Sequence, residues 1–195
     1  MSGASRWKNT LALALGLLAA AHGTLGIGQD PCVAFDASAS TFAVVSKNNA
    51  VPVLVSPDEW PGVQRAASDF VADIEAVTGV RPELRNVTLA GSSFSSDSHG
   101  SSLSSRAIIV GTLGKSSLVE QVVNNTGLDV SSVEGRWEAF LAREVTNPLP
   151  GIEKAYVIVG ADKRGTIFAL YEHSEQFGAC CVSSHHVFRW VYAAF

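Results

Sequence analysis

Cysteine is scarce and poorly placed for cross-linking. Three occur in 195 residues: Cys32 stands alone, and Cys180 and Cys181 are adjacent near the end. That is not the spacing of a disulfide framework. Lys and Arg nowhere cluster, and 14 basic against 18 acidic residues give a mild net charge of −4, which argues against a nucleic-acid surface. Apolar runs long enough to cross a bilayer are missing as well. There is no G-x-S-x-G elbow, no zinc-protease helix and no paired-cysteine metal site. Cys180-Cys181 with His185-His186 supplies four ligand-type side chains, but adjacent residues point apart and fix no tetrahedron. Neither a metal nor a cofactor is expected.

What the chain does have begins with an export signal. Arg6 and Lys8 precede the apolar core Leu11 to Leu18, and Ala19-Ala20-Ala21 supplies the small residues that a signal peptidase needs. The apolar run from Leu11 to Ala21 is about half of the roughly 20 residues a membrane span requires. Residues 1–21 are therefore expected to be a cleaved signal peptide, the product secreted and extracellular, with no membrane attachment afterwards. Export gives meaning to two N-glycosylation sequons, Asn86-Val87-Thr88 and Asn124-Asn125-Thr126, each of which would need a surface position.

The remaining length suits one domain that buries enough surface to fold without staples. Phe42 to Val45 and Val51 to Val55 read as strands around the turn Lys47-Asn48-Asn49. A helix follows with Pro61 at its first position, an apolar stripe of Val63, Ala66, Ala67, Phe70, Ile74 and Val77, and Gly79 to close it. Arg81 to Thr88 suits a short edge strand, because Pro82 would be out of place in a central one. The serine-rich stretch 91–105 has too few apolar groups to offset its ordering entropy and reads as a mobile surface insertion, His99 included.

Ala107 to Gly111 is a buried strand, then Thr112-Leu113-Gly114-Lys115-Ser116, then a helix through Leu118, Val119, Val122 and Val123. A phosphate loop needs a glycine five residues before Gly-Lys-Ser, and that position is Ile109 inside the strand. The segment is read as a helix-capping turn with Lys115 in solvent. Trp137 to Val145 alternates as a half-buried strand, with Trp137 on its packed side, and turns through Asn147 to Gly151 into a strand at Tyr156 to Val159. The irregular order of strands and helices predicts an α/β (α+β) fold, a single mixed-sheet domain with helices packed on it, rather than a doubly wound sheet.

The last unit, Tyr156 to Gly178, is a strand, a charged loop and a helix with Ile167, Leu170, Tyr171 and Phe177 at helical spacing. A charged loop at the carboxyl end of a buried strand is where α/β folds usually place ligand contacts. That loop is Asp162-Lys163-Arg164, followed by Gly165, whose freedom suits a tight turn.

Four segments carry a family resemblance: Trp60 to Gly79, Ala107 to Lys115, Leu128 to Phe140 and Val157 to Gly178. Together they resemble the N-terminal domain of the glycoside hydrolase family 115 xylan α-1,2-glucuronidases, over residues 42–178. The resemblance implies the α/β fold of the N-terminal domains of α-glucuronidases and β-hexosaminidases. It implies a full-length enzyme that removes (4-O-methyl)glucuronic acid α-1,2-linked to xylan by inversion, with glucuronoxylan as the polysaccharide partner. In that family the domain is an accessory module before a (β/α)8 barrel that carries the catalytic acid and base. Inversion needs two carboxylates roughly 6.5–9.5 Å apart. No such pair, and hence no catalytic residue, is assigned here, and a barrel of roughly 250 residues does not fit the chain.

The resemblance implies substrate contact for Glu175, beside the junction with a barrel, and a uronate-orienting role for Asp162, Lys163 and Arg164, with Arg164 able to bind a carboxylate bidentately. The alternatives are a solvated glutamate and a plain turn. After Gly178 the family pattern is lost, and residues 179–195 read as an aberrant, out-of-frame tail on a fragment that is inactive by itself. A genuine short paralogue is the other reading of that tail. A free-standing secreted carbohydrate-binding or interaction module is the other reading of the whole. Sequencing of transcripts across the Gly178 codon is expected to find messages that continue in another frame. A spliced message encoding this tail and then a stop would overturn the out-of-frame reading.

Overall fold

The computed structural model describes residue 33 and residues 42–46, 48–90, 93–95 and 105–178. The expected leader, Cys32, His99 and the tail 179–195 with its cysteines and histidines lie outside these residues. Nine strands and three helices are formed among the described residues: β1 (Val45–Ser46), β2 (Asn49–Ala50), β3 (Val53–Val55), α1 (Pro61–Thr78), β4 (Leu84–Asn86), β5 (Thr88–Ala90), β6 (Ser93–Ser95), β7 (Arg106–Thr112), α2 (Ser117–Thr126), β8 (Phe140–Leu149), β9 (Ile152–Gly160) and α3 (Lys163–Gln176).

A five-stranded mixed sheet of order β4-β3-β7-β9-β8 organises them. β4, β3, β7 and β9 run parallel, and β8 pairs antiparallel with β9. β4 lies at an edge, as expected, although it begins only at Leu84, beyond Pro82. Of the predicted strand over Val51 to Val55, Val53 to Val55 enter the main sheet, while the preceding Asn49–Ala50 close the small β1–β2 hairpin, with Asn48 at φ 62°. Within the serine-rich stretch, Ser93–Ser95 pair with β5 in a second hairpin. Backbone pairing there needs no apolar side chains. The rest of that stretch lies outside the described residues.

The helices cover both faces of the sheet. Val53, Val55, Ile108, Val110 and Ile158 form one core with Val63, Ala66, Ala67, Phe70, Val71 and Ile74 of α1 and Ala169, Leu170 and Phe177 after β9. The intervening residues Leu54, Ala107, Ile109, Val157 and Val159 face the other way, onto Leu118, Val119 and Val122 of α2. This follows from period-2 alternation in strands buried on both sides. Burying a side chain such as Phe70 contributes roughly 1.5–3 kcal/mol. The mixed sheet with helices packed on it is the α/β architecture expected from the sequence. The β5–β6 hairpin and the antiparallel β8 interrupt the order in sequence without disturbing the layers.

Two sequence expectations fail for a common reason, which is local geometry. Trp137 was assigned to the packed side of a strand, but the strand starts only at Phe140 and Trp137 is 80% exposed. Glu138 takes φ 55°, and this left-handed residue breaks the alternation and turns Trp137 outward. On α3, Tyr171 was placed in the apolar stripe, yet it is 46% exposed and its hydroxyl donates to Asp69 Oδ2 of α1 at 3.0 Å. The buried side instead holds Thr166, Ala169, Leu170, His173 and Ser174.

His173 is fully buried, and its Nδ1 lies 2.7 Å from the Ala169 carbonyl. A carbonyl only accepts, so Nδ1 carries the proton and Nε2 accepts from the Tyr156 hydroxyl at 3.0 Å. Phe140 and Tyr156 meet the imidazole edge-on. Burial pushes its pKa below the ordinary 6.5, and the neutral ring is the folded form. Because the unfolded chain binds this proton more readily, the contribution to stability is complete above 6.5 and is lost as pH falls through the lowered folded value. The thermal midpoint is therefore expected to fall between about pH 7.5 and about pH 5.5, and less so in His173→Gln. Equal slopes in the two proteins would overturn the assignment of a neutral buried imidazole.

Candidate functional site

The carboxyl ends of β3, β7 and β9 lie side by side, because those strands are parallel and in register. From β3 the chain turns to α1 on one face. From β7 it turns to α2 on the other, and from β9 it returns to the first face with α3. Neighbouring connections that diverge in this way leave a crevice above the strand ends, the usual ligand position in open α/β sheets. A hollow of about 390 Å³ lies there, lined by Trp60, Thr112, Leu113, Gly114, Lys115, Ala161, Asp162 and Lys163. A larger hollow of about 510 Å³ sits beside the β8–β9 turn, near Asn125 and Pro150. Glu153 is its one charged lining residue. It offers no convergent set of reactive groups.

Glycine permits the close approach of these elements. A Cβ on Gly111 would strike the Ser116 side chain, one on Gly160 would strike Thr166, and one on Gly165 would strike the Ala139 carbonyl. Gly165 was expected to serve a tight turn; its role is instead to let the first turn of α3 sit under the 138–139 backbone. The segment after β7 caps α2 as expected, with Ser116 Oγ accepting from Val119 N.

Beneath the crevice lies a residue that the sequence reading passed over. Glu59 is only 4% exposed. Its Oε1 accepts from Thr112 N, and its Oε2 accepts from Trp60 N and Thr112 Oγ1, each at 3.1 Å. With Thr112 donating to the carboxylate, Thr166 is the donor across the 2.7 Å contact between their hydroxyls. Burial raises the Glu59 pKa above its ordinary value; the bonds from Thr112 and Trp60 pull the other way, and Asp58 adds to the rise. The one sequence signal was position, an acidic residue in the loop directly after a buried strand.

The predicted contact residues fall into two groups. Asp162 is the N-cap of α3: its Oδ1 accepts from Gly165 N at 2.7 Å and its Oδ2 from Glu138 N at 3.0 Å. Those two bonds, the Gly165 one foremost, hold its pKa below the ordinary carboxylate value. Arg164 pairs with Glu138 at 3.0 Å and lies 5.9 Å from the Trp137 ring centroid. Lys163 is exposed at the crevice. Glu175 is exposed near the opposite end of α3, roughly 18 Å along the axis from Lys163 at 1.5 Å per residue. The structure therefore groups Asp162, Lys163 and Arg164 and sets Glu175 apart from them.

Lys115, expected in free solvent, holds its ammonium 4.9 Å from the centroid of the Trp60 ring, which is 44% exposed. The sequon residues Asn86, on β4, and Asn124, in the last turn of α2, are both exposed. Among the described residues no group of three or more His, Cys, Asp or Glu could hold a metal ion, and no helix is long and apolar enough to cross a membrane.

Glu59 accepts from three donors, so an amide in its place leaves one donor facing an NH2 group. Glu59→Gln is expected to cost about 1–3 kcal/mol in urea denaturation, and Thr112→Val less. The pair should cost clearly less than the sum of the two, since both remove the same contacts. Strict additivity would show that the two side chains do not share a network.

No family model matches the chain, and no curated protein matches it. Solved structures do match. One is a family GH115 4-O-methyl-α-glucuronidase with specificity for decorated arabinogalactans, at a TM-score of 0.50 and 24% identity. The match covers 70% of this chain and 14% of that enzyme. At this level of identity the likeness is one of fold: an α/β arrangement of helices on a mixed sheet, in common with a GH115 glucuronidase.

Proposed function

We propose that this chain is the N-terminal accessory module of a secreted glycoside hydrolase whose full-length form removes (4-O-methyl)glucuronic acid α-1,2-linked to xylan, and that the chain alone is inactive. The observation that carries this reading is the fold match, which takes in 70% of this chain but 14% of the glucuronidase. A module of that proportion leaves the acid and base of an inverting hydrolysis to another domain. The four sequence segments that resemble family 115 lie within the same described fold. On this reading Glu175 meets substrate only where a following domain docks at the far end of α3. Glycans would sit at Asn86 and Asn124, both exposed.

A second reading, a free-standing secreted carbohydrate-binding module, gains support from one observation. Binding modules present exposed aromatic rings, and here Trp60 and Trp137 are exposed, although the alternation had placed Trp137 on the packed side of a strand. Electrophoresis of the purified chain through gels containing glucuronoxylan, with an assay for released glucuronic acid, separates the readings. The first expects neither retardation nor release. Retardation without release favours the second, and release of glucuronic acid by the chain alone overturns both.

A further inference from the structure

Beneath the crevice the Glu59 carboxylate heads a row of hydroxyl groups. Its Oε2 is 3.1 Å from Thr112 Oγ1, which lies 2.7 Å from Thr166 Oγ1. Thr166 Oγ1 in turn lies 3.1 Å from the Asp162 carbonyl oxygen and 3.5 Å from that of Gly111. Both threonines are buried, and a hydroxyl rotates to suit the neighbours it has, donating to one and accepting from others. A charged carboxylate only accepts, so Thr112 donates to Glu59 and Thr166 donates to Thr112. In that state the Asp162 carbonyl receives nothing from the Thr166 hydroxyl.

We propose that this row is a proton-reading relay: a proton from solvent on Glu59 Oε2 reverses both threonine hydroxyls and delivers a hydrogen bond to the Asp162 carbonyl. In the neutral state Oε2–H donates to Thr112, Thr112 donates to Thr166, and Thr166 donates to Asp162 O, so no buried hydroxyl is left without an acceptor. The Thr112 and Trp60 amides keep the Glu59 oxygens as acceptors but lose the charge that made those bonds about twice as strong. Trp60, Thr112 and Asp162 all line the crevice. Acid therefore loosens its β3 side and tightens its β9 side.

The surroundings suit this role. Burial favours the neutral carboxyl, and Asp58 in the same loop favours it too. Burial acts on Asp58 as well, but bonds from Ser56 and Ser117 more than offset it and hold that acid below the ordinary carboxylate value. Asp58 thus stays charged and keeps the loop on α2 while Glu59 takes its proton. Lys115 from the β7 side, and Asp162 and Lys163 from the β9 side, are the other charged groups lining the crevice. Helix α1 presents the uncharged Gln64, with Nε2 3.4 Å from Glu59 O. The folded chain holds the Glu59 proton more readily than the unfolded one, so this group's contribution to stability grows as pH falls. The reversal accordingly belongs to the folded molecule.

The test is a pH titration of the full chain by NMR, following the Glu59 carboxyl carbon, the Trp60 and Thr112 amides and the Asp162 backbone carbonyl carbon. All four are expected to move together, with a midpoint above 4.5, the ordinary glutamate value. The Asp162 carboxyl is told apart because bonds from Gly165 and Glu138 hold it below its ordinary 3.8. Thr166→Val removes the acceptor of the Thr112 hydroxyl in the neutral state. It is expected to lower the Glu59 midpoint by about one pH unit, a tenfold loss of proton affinity, and to uncouple the Asp162 carbonyl from Glu59. Thr166→Ser should restore both, which a purely packing role for Thr166 would not produce. Glu59→Gln should abolish the shared titration; if that variant does not fold, the two Thr166 variants decide. A Glu59 midpoint at or below 4.5, an Asp162 carbonyl that does not follow Glu59 in the native protein, or an unchanged midpoint in Thr166→Val overturns the proposal.

Discussion

A single buried carboxylate ties together the end of the molecule where its parallel strands terminate. Glu59 belongs to the loop after β3, accepts from the backbone and hydroxyl of Thr112 at the end of β7, and is linked through Thr112 to Thr166 in the first turn of α3. Three connections that leave for different layers are thereby pinned to one another. A carboxylate in this position is stable only with its lone pairs filled, so the loop, the strand end and the helix start cannot move independently. Gly111 and Gly160 make the arrangement possible, since a side chain on either would push the helices off the strand ends.

On this fixed base the exposed groups of the crevice acquire definite places. Lys115 rests on Trp60 and Arg164 near Trp137, so two cation–aromatic pairs stand over the strand ends. Asp162 is spent on capping α3 and joining it to the Glu138 amide. The division of labour is chemical. Acids near the crevice hold the backbone together, while the basic residues and indoles are left to face outward.

Much of this was legible in the sequence, and what was missed has a physical explanation. Helix α1 was readable in full, from Pro61 through its apolar stripe to Gly79 in the left-handed conformation at φ 73°. The mixed sheet, the edge position of β4 and the β8–β9 hairpin were also foreseen, because alternation and turn residues are local signals. His173 was missed because a histidine in a helical pattern scores as polar, whereas two hydrogen bonds and two aromatic neighbours let it pack as a core residue. Glu59 was missed because Thr112, which supplies two of its three donors, lies 53 residues away in the sequence. The exposure of Trp137 depended on one left-handed backbone at Glu138, which alternation does not register. The family resemblance pointed to the right kind of fold, and the distance between Glu175 and the Asp162 loop emerged only once the length of α3 was known.

The two borders of the main sheet have a bearing on how the protein behaves in company. On one side stands β4, three residues long. On the other stands β8, whose pairing slips between Thr146 and Leu149, with Asn147 in a left-handed conformation and Pro148 lacking an amide proton. The β4 border is too short to serve a neighbouring chain as a rail of donors and acceptors, and on β8 the regular run ends at Thr146. Edge-to-edge pairing between copies is thereby limited to a short stretch of either border.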